Sequence, residues 1–222
     1  GLSAGYGKMA VVRDVDIRVD AGEVVALIGA NGAGKTTTLL TLAGELPPLD
    51  GEVRFLGEAT RAPMHARCRN GLGYVTEERS VIMNMTVADN LKLAAVAPDI
   101  AFGYFPALED IMDRKAGLCS GGEQQMLSLA RALGRHPKVL LADELSLGLA
   151  PIIVTNLLQA VRAAAEERGV GVLLVEQHVR QALKIADRVY LMERGRIALS
   201  GTSGEVVGQL DKIEAAYLST GE

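Results

Sequence analysis

The sequence predicts an α/β fold: a mostly parallel core sheet wrapped by helices, with an antiparallel β subdomain and a small helical subdomain. Three observations carry that reading. Residues 24–28 (VVALI), 138–144 (KVLLADE) and 170–178 (VGVLLVEQH) hold apolar runs without alternation, the pattern of strands covered on both faces. Segments with helical spacing follow them, and repeated strand–helix units build parallel sheets. Apolar residues make up 49% of the 222 residues, with 4% aromatics and no Trp, so Val, Leu, Ile and Ala supply the bulk.

In chain order, the opening GLSAGYG reads as a turn, as though a first strand were absent. Residues 14–19 alternate Val15, Ile17 and Val19 with Asp14, Asp16 and Arg18, which predicts a half-buried antiparallel strand. Residues 24–28 form a buried strand ending in a glycine-rich loop, and 35–43 follow as helix. GEVRFLGE at 51–58 reads as one short strand. Residues 75–118 contain Pro98, Pro106 and short apolar clusters without a long strand signal. The predicted organisation is a core of residues 1–74 and 120–222, with a helical subdomain at 75–119.

From Ser120 the pattern is regular again. Met126, Leu129, Ala130 and Leu133 share a helical face. Residues 138–144 are a buried strand ending in two carboxylates, 151–168 an amphipathic helix, 170–178 a buried strand, and 180–187 helical. Residues 189–201 (VYLMERGRIALSG) predict a hairpin turning at Arg194 and Gly195. Residues 204–218 read as helix.

The formal charge is −4 and no basic stretch is long enough to track nucleic acid, so nucleic acid is not an expected partner. Cys68 and Cys119 are widely spaced and lack a His pattern, which argues for reduced thiols and against zinc. Neither a signal-type apolar segment nor a membrane span is evident. The expectation is a soluble chain that can dock beneath a membrane on a partner.

Gly29, Ala30, Asn31, Gly32, Ala33, Gly34, Lys35 and Thr36 fit G-x-x-x-x-G-K-[ST] between a buried strand and a helix. In that context backbone N–H groups wrap phosphates, the lysine reaches the β- and γ-phosphates, and the threonine hydroxyl ligates Mg²⁺. Asp143 at the end of a buried strand suits the metal shell, and Glu144 is placed to polarise a water for attack. CSGGEQQ at 119–125 is a second glycine-rich turn feeding a helix N-terminus, another anion-binding arrangement.

Phosphate loop, CSGGE, ADE and a polar residue after a late strand, in this order, resemble the ATPase subunit of an ABC transporter over essentially the whole chain. IGANGAGKTT, SGGEQQM, LSLGLAPIIV, LLVEQH and a late AAYL are similar to the ATPases of high-affinity branched-chain amino-acid uptake systems, the second of the pair such systems use. The resemblance implies a P-loop NTPase of the ABC ATPase type that hydrolyses ATP with Mg²⁺ to power import. It implies a head-to-tail dimer with a second ATPase subunit, a copy or a sister. It further implies permease subunits, an indirectly acting solute-binding protein outside the cell, and work at the cytoplasmic face of the membrane. Lipid exporters and urea or amide importers have similar single cassettes, though Glu77 and GLAPIIV favour uptake. ABC ATPases that act on DNA or ribosomes carry two cassettes, coiled-coil insertions or basic linkers, which are not seen here.

Residue by residue, the resemblance places ATP on Tyr6, by stacking on adenine, and on Gly29, Asn31, Gly32, Ala33, Gly34, Lys35, Thr36 and Thr37. It places Mg²⁺ on Thr36, Asp143 and Glu77, with Glu77 where most relatives have Gln. Catalysis falls to Glu144, Glu77 and a switch residue, Gln177 or its neighbour His178. Ser120, Gly121, Gly122 and Glu123 match the signature that acts on the ATP of the other subunit. Ala150 stands where the family has Asp, Leu145 where it has Pro, and Cys119, read as a small apolar filler, where it has Leu. The stretch 90–106 is shorter than the helical subdomain of these relatives.

Overall fold

The computed structural model describes residues 1–208. Its core is a six-stranded sheet flanked by two small antiparallel pairs. In chain order the elements begin with β1 (Leu2–Tyr6), β2 (Met9–Val15), β3 (Val24–Ile28) and α1 (Lys35–Ala43). Next come β4 (Arg54–Phe55), β5 (Glu58–Ala59), α2 (Met64–Arg69) and β6 (Leu72–Val75). A helical stretch follows with α3 (Val87–Leu93), α4 (Pro98–Tyr104) and two 3₁₀ turns, then α5 (Gly121–Leu133), β7 (Val139–Asp143), α6 (Pro151–Arg168) and β8 (Gly171–Glu176). The described chain closes with α7 (Val179–Ala182), β9 (Arg188–Glu193), β10 (Arg196–Thr202) and α8 (Ser203–Val207).

The sheet order is β10-β9-β3-β8-β7-β6, parallel throughout except for the β9–β10 hairpin. Alternate residues of β3 serve different cores. Val24, Ala26 and Ile28 pack with α5, α6 and the helical stretch, while Val25 and Leu27 pack on the other face with α1 and the first hairpin. All five residues are fully buried, which is why no alternation shows in the sequence. The helix α6 matches its predicted span, with Pro151 at its first turn and Gly169 at its C-cap.

Several expectations are corrected. The opening is a strand: β1 pairs antiparallel with β2, and Leu2 and Ala4 are buried. The strand expected at 14–19 lies earlier, at Met9–Val15. Asp14 has φ +54, and the segment beyond Val15 continues without strand pairing. Its alternation is nonetheless real, because Ile17 and Val19 pack on the core. The segment 51–58 is no single strand, since Leu56 and Gly57 turn β4 back onto β5. The helix expected at 180–187 is reduced to α7, and 183–187 is turn and irregular chain. The hairpin at Arg194 and Gly195 forms as expected. Of the helix expected at 204–218, only α8 falls within the described residues; 209–218, with the AAYL segment, lies outside them.

Two elements went unforeseen. The helix α2 carries Arg67, which is 2% exposed and donates to the carbonyls of Ala62, Thr41 and Leu42, tying α2 to the end of α1. The strand β6 pairs with β7, so Val75, taken as the first residue of the helical subdomain, belongs to the core sheet. Within the helical stretch Asn90 is fully buried. Its side chain accepts from Ile82 N–H at 2.9 Å and donates to Ile82 and Thr86 carbonyls at 3.1 and 2.9 Å, which holds the segment after Glu77 against α3.

Candidate active site

The strands β3, β8 and β7 are neighbours, and their C-terminal ends deliver the loops that meet in one cleft. In open α/β sheets this end is where ligands bind. The cleft has a volume of about 450 Å³ and is lined by Asn31, Gly32, Gly34, Lys35, Thr36, Thr37, Glu77, Glu144 and Gln177, with Val11 and Leu147 at its edges. Nearly all the residues predicted for the phosphate loop and its catalytic partners are thus brought together.

The loop is held against the β9–β10 hairpin: Gly195 N–H donates to Ala33 O at 2.9 Å. A Cβ on Gly29 would lie 2.6 Å from the Met192 carbonyl oxygen, so no larger residue fits. Gly34 has φ +109, where other residues are strained, and caps α1 without a side-chain bond. The first turn of α1 also has no acidic residue. Its orphan N–H groups and the positive end of its dipole are therefore open to an anion.

Lys35 is 4% exposed. Its ammonium donates to Gly29 O at 2.7 Å and Ala30 O at 3.2 Å, and lies 3.7 Å from Glu144. Burial lowers its pKa, opposed by the charges of Glu144 and Asp143. Asp143 is 2% exposed, and burial followed by the charges of Glu144 and Glu77 pushes its pKa up to about 6, against the pull of Lys35 and a Thr36 hydrogen bond. Its Oδ1 has no hydrogen-bond partner. A buried carboxylate oxygen left unpaired beside a threonine hydroxyl suits a divalent cation. Among the described residues no cluster of three His, Cys, Asp or Glu could hold a metal by itself. Mg²⁺ uses one or two carboxylates together with substrate phosphates and waters, a set that Asp143 and Thr36 could join.

Glu144 sits at φ +49, a left-handed conformation costing about 1–3 kcal/mol for a residue with a side chain. Its N–H donates to Val175 O at 3.0 Å, and Gln177 Nε2 donates to its carboxylate at 2.6 Å. Of the two switch candidates, Gln177 lines the cleft; His178 is exposed outside it, at the N-cap of α7 without a side-chain cap bond. Tyr6 is 55% exposed at the β1–β2 turn and is not among the lining residues.

Ser120, Gly121, Gly122 and Glu123 do not line this cleft. They open α5 with a capping box: Ser120 N–H donates to Glu123 at 2.6 Å, and Glu123 N–H donates to Ser120 Oγ at 3.3 Å. Arg114 lies 3.2 Å from the same carboxylate. Glu123 therefore has a local task, shaping the helix start. A Cβ on Gly121 would lie 2.8 Å from the Arg79 guanidinium, so the segment after Glu77 rests against the signature turn. Cys119 is buried, and desolvation raises its thiol pKa, in keeping with an apolar filler.

Sequence reasoning missed Glu176 and Ser146. Glu176 is 1% exposed and accepts from Ser146 Oγ at 2.6 Å and Ser146 N–H at 3.2 Å. Burial pushes its pKa up to about 7, opposed by the Ser146 hydrogen bonds. The available signal was a carboxylate closing a wholly apolar strand.

A family model for ABC transporters matches residues 12–146. The chain is 42% identical to the high-affinity branched-chain amino acid transport ATP-binding protein BraG of Pseudomonas aeruginosa, covering 98% of this chain and 97% of that one. It is 38% identical to the probable branched-chain amino acid transport ATP-binding protein LivF of Archaeoglobus fulgidus, over 93% and 92% of the two chains. It is equally 38% identical to the lipopolysaccharide export system ATP-binding protein LptB of Acidithiobacillus ferridurans, over 93% and 90%. Among solved structures, the ADP conformation of an ATP-binding cassette of an ABC transporter superposes with TM-score 0.87 and 25% identity, over 100% of this chain and 96% of that one.

Proposed function

Because the chain belongs to the ABC transporter ATP-binding family and is an ATPase of that family, we propose that it powers import of branched-chain amino acids. The single observation that carries the solute is the 42% identity to BraG across nearly the full length of both chains. Subunits of this family work as dimers on transmembrane permeases, and no helix among the described residues is long and apolar enough to cross a membrane. The membrane path is thus assigned to partner chains, and the solute-binding protein acts through them.

In this reading the open N-terminus of α1 and the Lys35 ammonium bind the phosphates of ATP, and the exposed ring of Tyr6 offers a face for stacking on adenine. Thr36 and Asp143, with Glu77 beside them, would hold Mg²⁺, which when bound would neutralise charge on the phosphates. Glu144 accepts a proton from the attacking water while Lys35 and the loop N–H groups stabilise charge on the phosphoryl oxygens. Gln177 positions without transferring a proton, since an amide donates but does not titrate. Ser120, Gly121 and Gly122 lie at a helix start outside their own cleft, with Ser120 exposed, which supports their use on the ATP of a head-to-tail partner. Glu123 would hold that start in shape.

The test is transport by proteoliposomes containing this chain with permease subunits of a branched-chain amino-acid uptake system and the matching binding protein. Leucine-stimulated ATP hydrolysis coupled to leucine uptake supports the proposal. Hydrolysis indifferent to leucine, isoleucine and valine but stimulated by lipopolysaccharide would overturn it in favour of export, the reading that the LptB likeness supports.

A further inference from the structure

The buried carboxylate of Glu176 has no part in the chemistry above. It closes β8, one residue before Gln177, and is reached from across the site by Ser146, two residues beyond Glu144. Both of its oxygens are engaged by Ser146, one by the hydroxyl and one by the backbone N–H, and the Gln177 N–H also faces it. A carboxylate that is 1% exposed is costly to keep, and an apolar side chain of the same length would fill the space without that cost. What an apolar side chain could not do is accept from the loop after β7.

That loop needs holding. Glu144 lies in the left-handed region, and such conformations persist only where the surroundings over-determine them. Three hydrogen bonds do so here: Glu144 N–H to Val175 O, and the two from Ser146 to Glu176. All three anchor the loop after β7 to the end of β8, whose next residue, Gln177, donates to Glu144. Lys35 is the cation whose charge reaches all three buried carboxylates, Glu144, Asp143 and Glu176.

We propose that Glu176 is a positioning residue for hydrolysis: it clamps the loop after β7 to that after β8, so that Glu144 and Gln177 keep their mutual geometry when ATP occupies the cleft. This rests on Glu144 as the group that polarises the water. The clamp acts on the turnover step and not on ATP affinity, because neither Glu176 nor Ser146 lines the cleft.

The experiment compares the full chain with Glu176→Met, Glu176→Gln, Ser146→Ala and the double variant Glu176→Met/Ser146→Ala, measuring kcat and KM for ATP. Glu176→Met removes both acceptors and is expected to lower kcat by roughly tenfold to a hundredfold, the scale of a catalytic group displaced by about 1 Å, with KM within about threefold of the parent. Glu176→Gln keeps one acceptor and should fall between the two. Adding Ser146→Ala to Glu176→Met should change kcat by less than about twofold, since the partner is already gone. A folded Glu176→Met with kcat within about twofold of the parent, or Ser146→Ala and Glu176→Met losses that multiply, overturns the proposal. If Glu176→Met does not fold, Ser146→Ala alone decides: unchanged kcat overturns the clamp, and a fall at constant KM supports it. Glu144→Gln, run alongside, separates the two layers, because turnover surviving there refutes the reading of Glu144 and not of the clamp.

Discussion

Glu176 also makes a quantitative statement about stability. Its pKa is pushed from the ordinary 4.5 to about 7 in the folded chain, chiefly by burial. A carboxyl whose folded pKa lies above its unfolded value favours the folded state at low pH and loses that advantage as pH rises through the folded pKa. The window therefore runs from about pH 4.5 to about pH 7. At about 1.4 kcal/mol per pKa unit, a shift of roughly 2.5 units amounts to about 3 kcal/mol, most of it falling between about pH 5 and pH 8. Glu176→Gln cannot titrate and removes this contribution. Urea denaturation of the parent and of Glu176→Gln at about pH 5 and pH 8 isolates it, because the other groups are shared. The parent's stability relative to the variant should fall by about 2–3 kcal/mol across that range. A relative stability that is flat with pH, or that rises, refutes the account of Glu176 as a carboxyl desolvated by folding.

Other expectations follow from the same geometry. Glu144→Gln should keep ATP binding, lose turnover by about a hundredfold or more and accumulate an ATP-bound dimer, seen by size-exclusion chromatography with ATP. Lys35→Ala removes the ammonium held by the Gly29 and Ala30 carbonyls and should weaken binding of a fluorescent ATP analogue by at least about tenfold. Mixing Lys35→Ala with Ser120→Arg subunits should restore part of the ATPase activity, since one mixed site keeps both its lysine loop and its signature; no recovery at any ratio would count against shared sites. Leu27→Ala, at a fully buried position of β3, should cost about 2–5 kcal/mol in the same denaturation assay.

The parts of the fold legible in the sequence are those where one physical signal dominates. Val24–Ile28 and Gly171–Glu176 are buried throughout, so an unbroken apolar run is sufficient notice of each. The phosphate loop is legible because its chemistry fixes both residue types and spacing. The first hairpin was hidden because β1 carries Ser3 and Gly5, where a Cβ on Gly5 would lie 1.9 Å from the Met9 carbonyl oxygen. Steric fit selects that glycine, yet in sequence it reads as a turn. The strand β2 was displaced because Asp14, at positive φ, ends its regular course while apolar alternation continues past it. The strand β6 offers only Leu72, Gly73, Tyr74 and Val75, too short a run to separate from a loop. Of the site, Glu176 showed in the sequence only as a carboxylate closing an apolar strand, and its role was not legible because its partner Ser146 is separated by 30 residues along the chain.

The placement of β3 in the middle of the sheet has a bearing on how the protein comes into being. Its two neighbours are β8 and β9, so the strand that carries the phosphate loop pairs with nothing made before residue 171. During synthesis the most apolar segment of the first half emerges early and waits, both edges open, for most of the remaining chain. Contacts of such long sequence separation close slowly, and unpaired apolar edges are prone to aggregate meanwhile. A ribosome-bound chain halted near residue 150 would have every residue of the phosphate loop and both carboxylates of the motif at 143–144, yet no nucleotide site. Completion of the nucleotide site thus waits on β8 and β9, the two strands that flank β3.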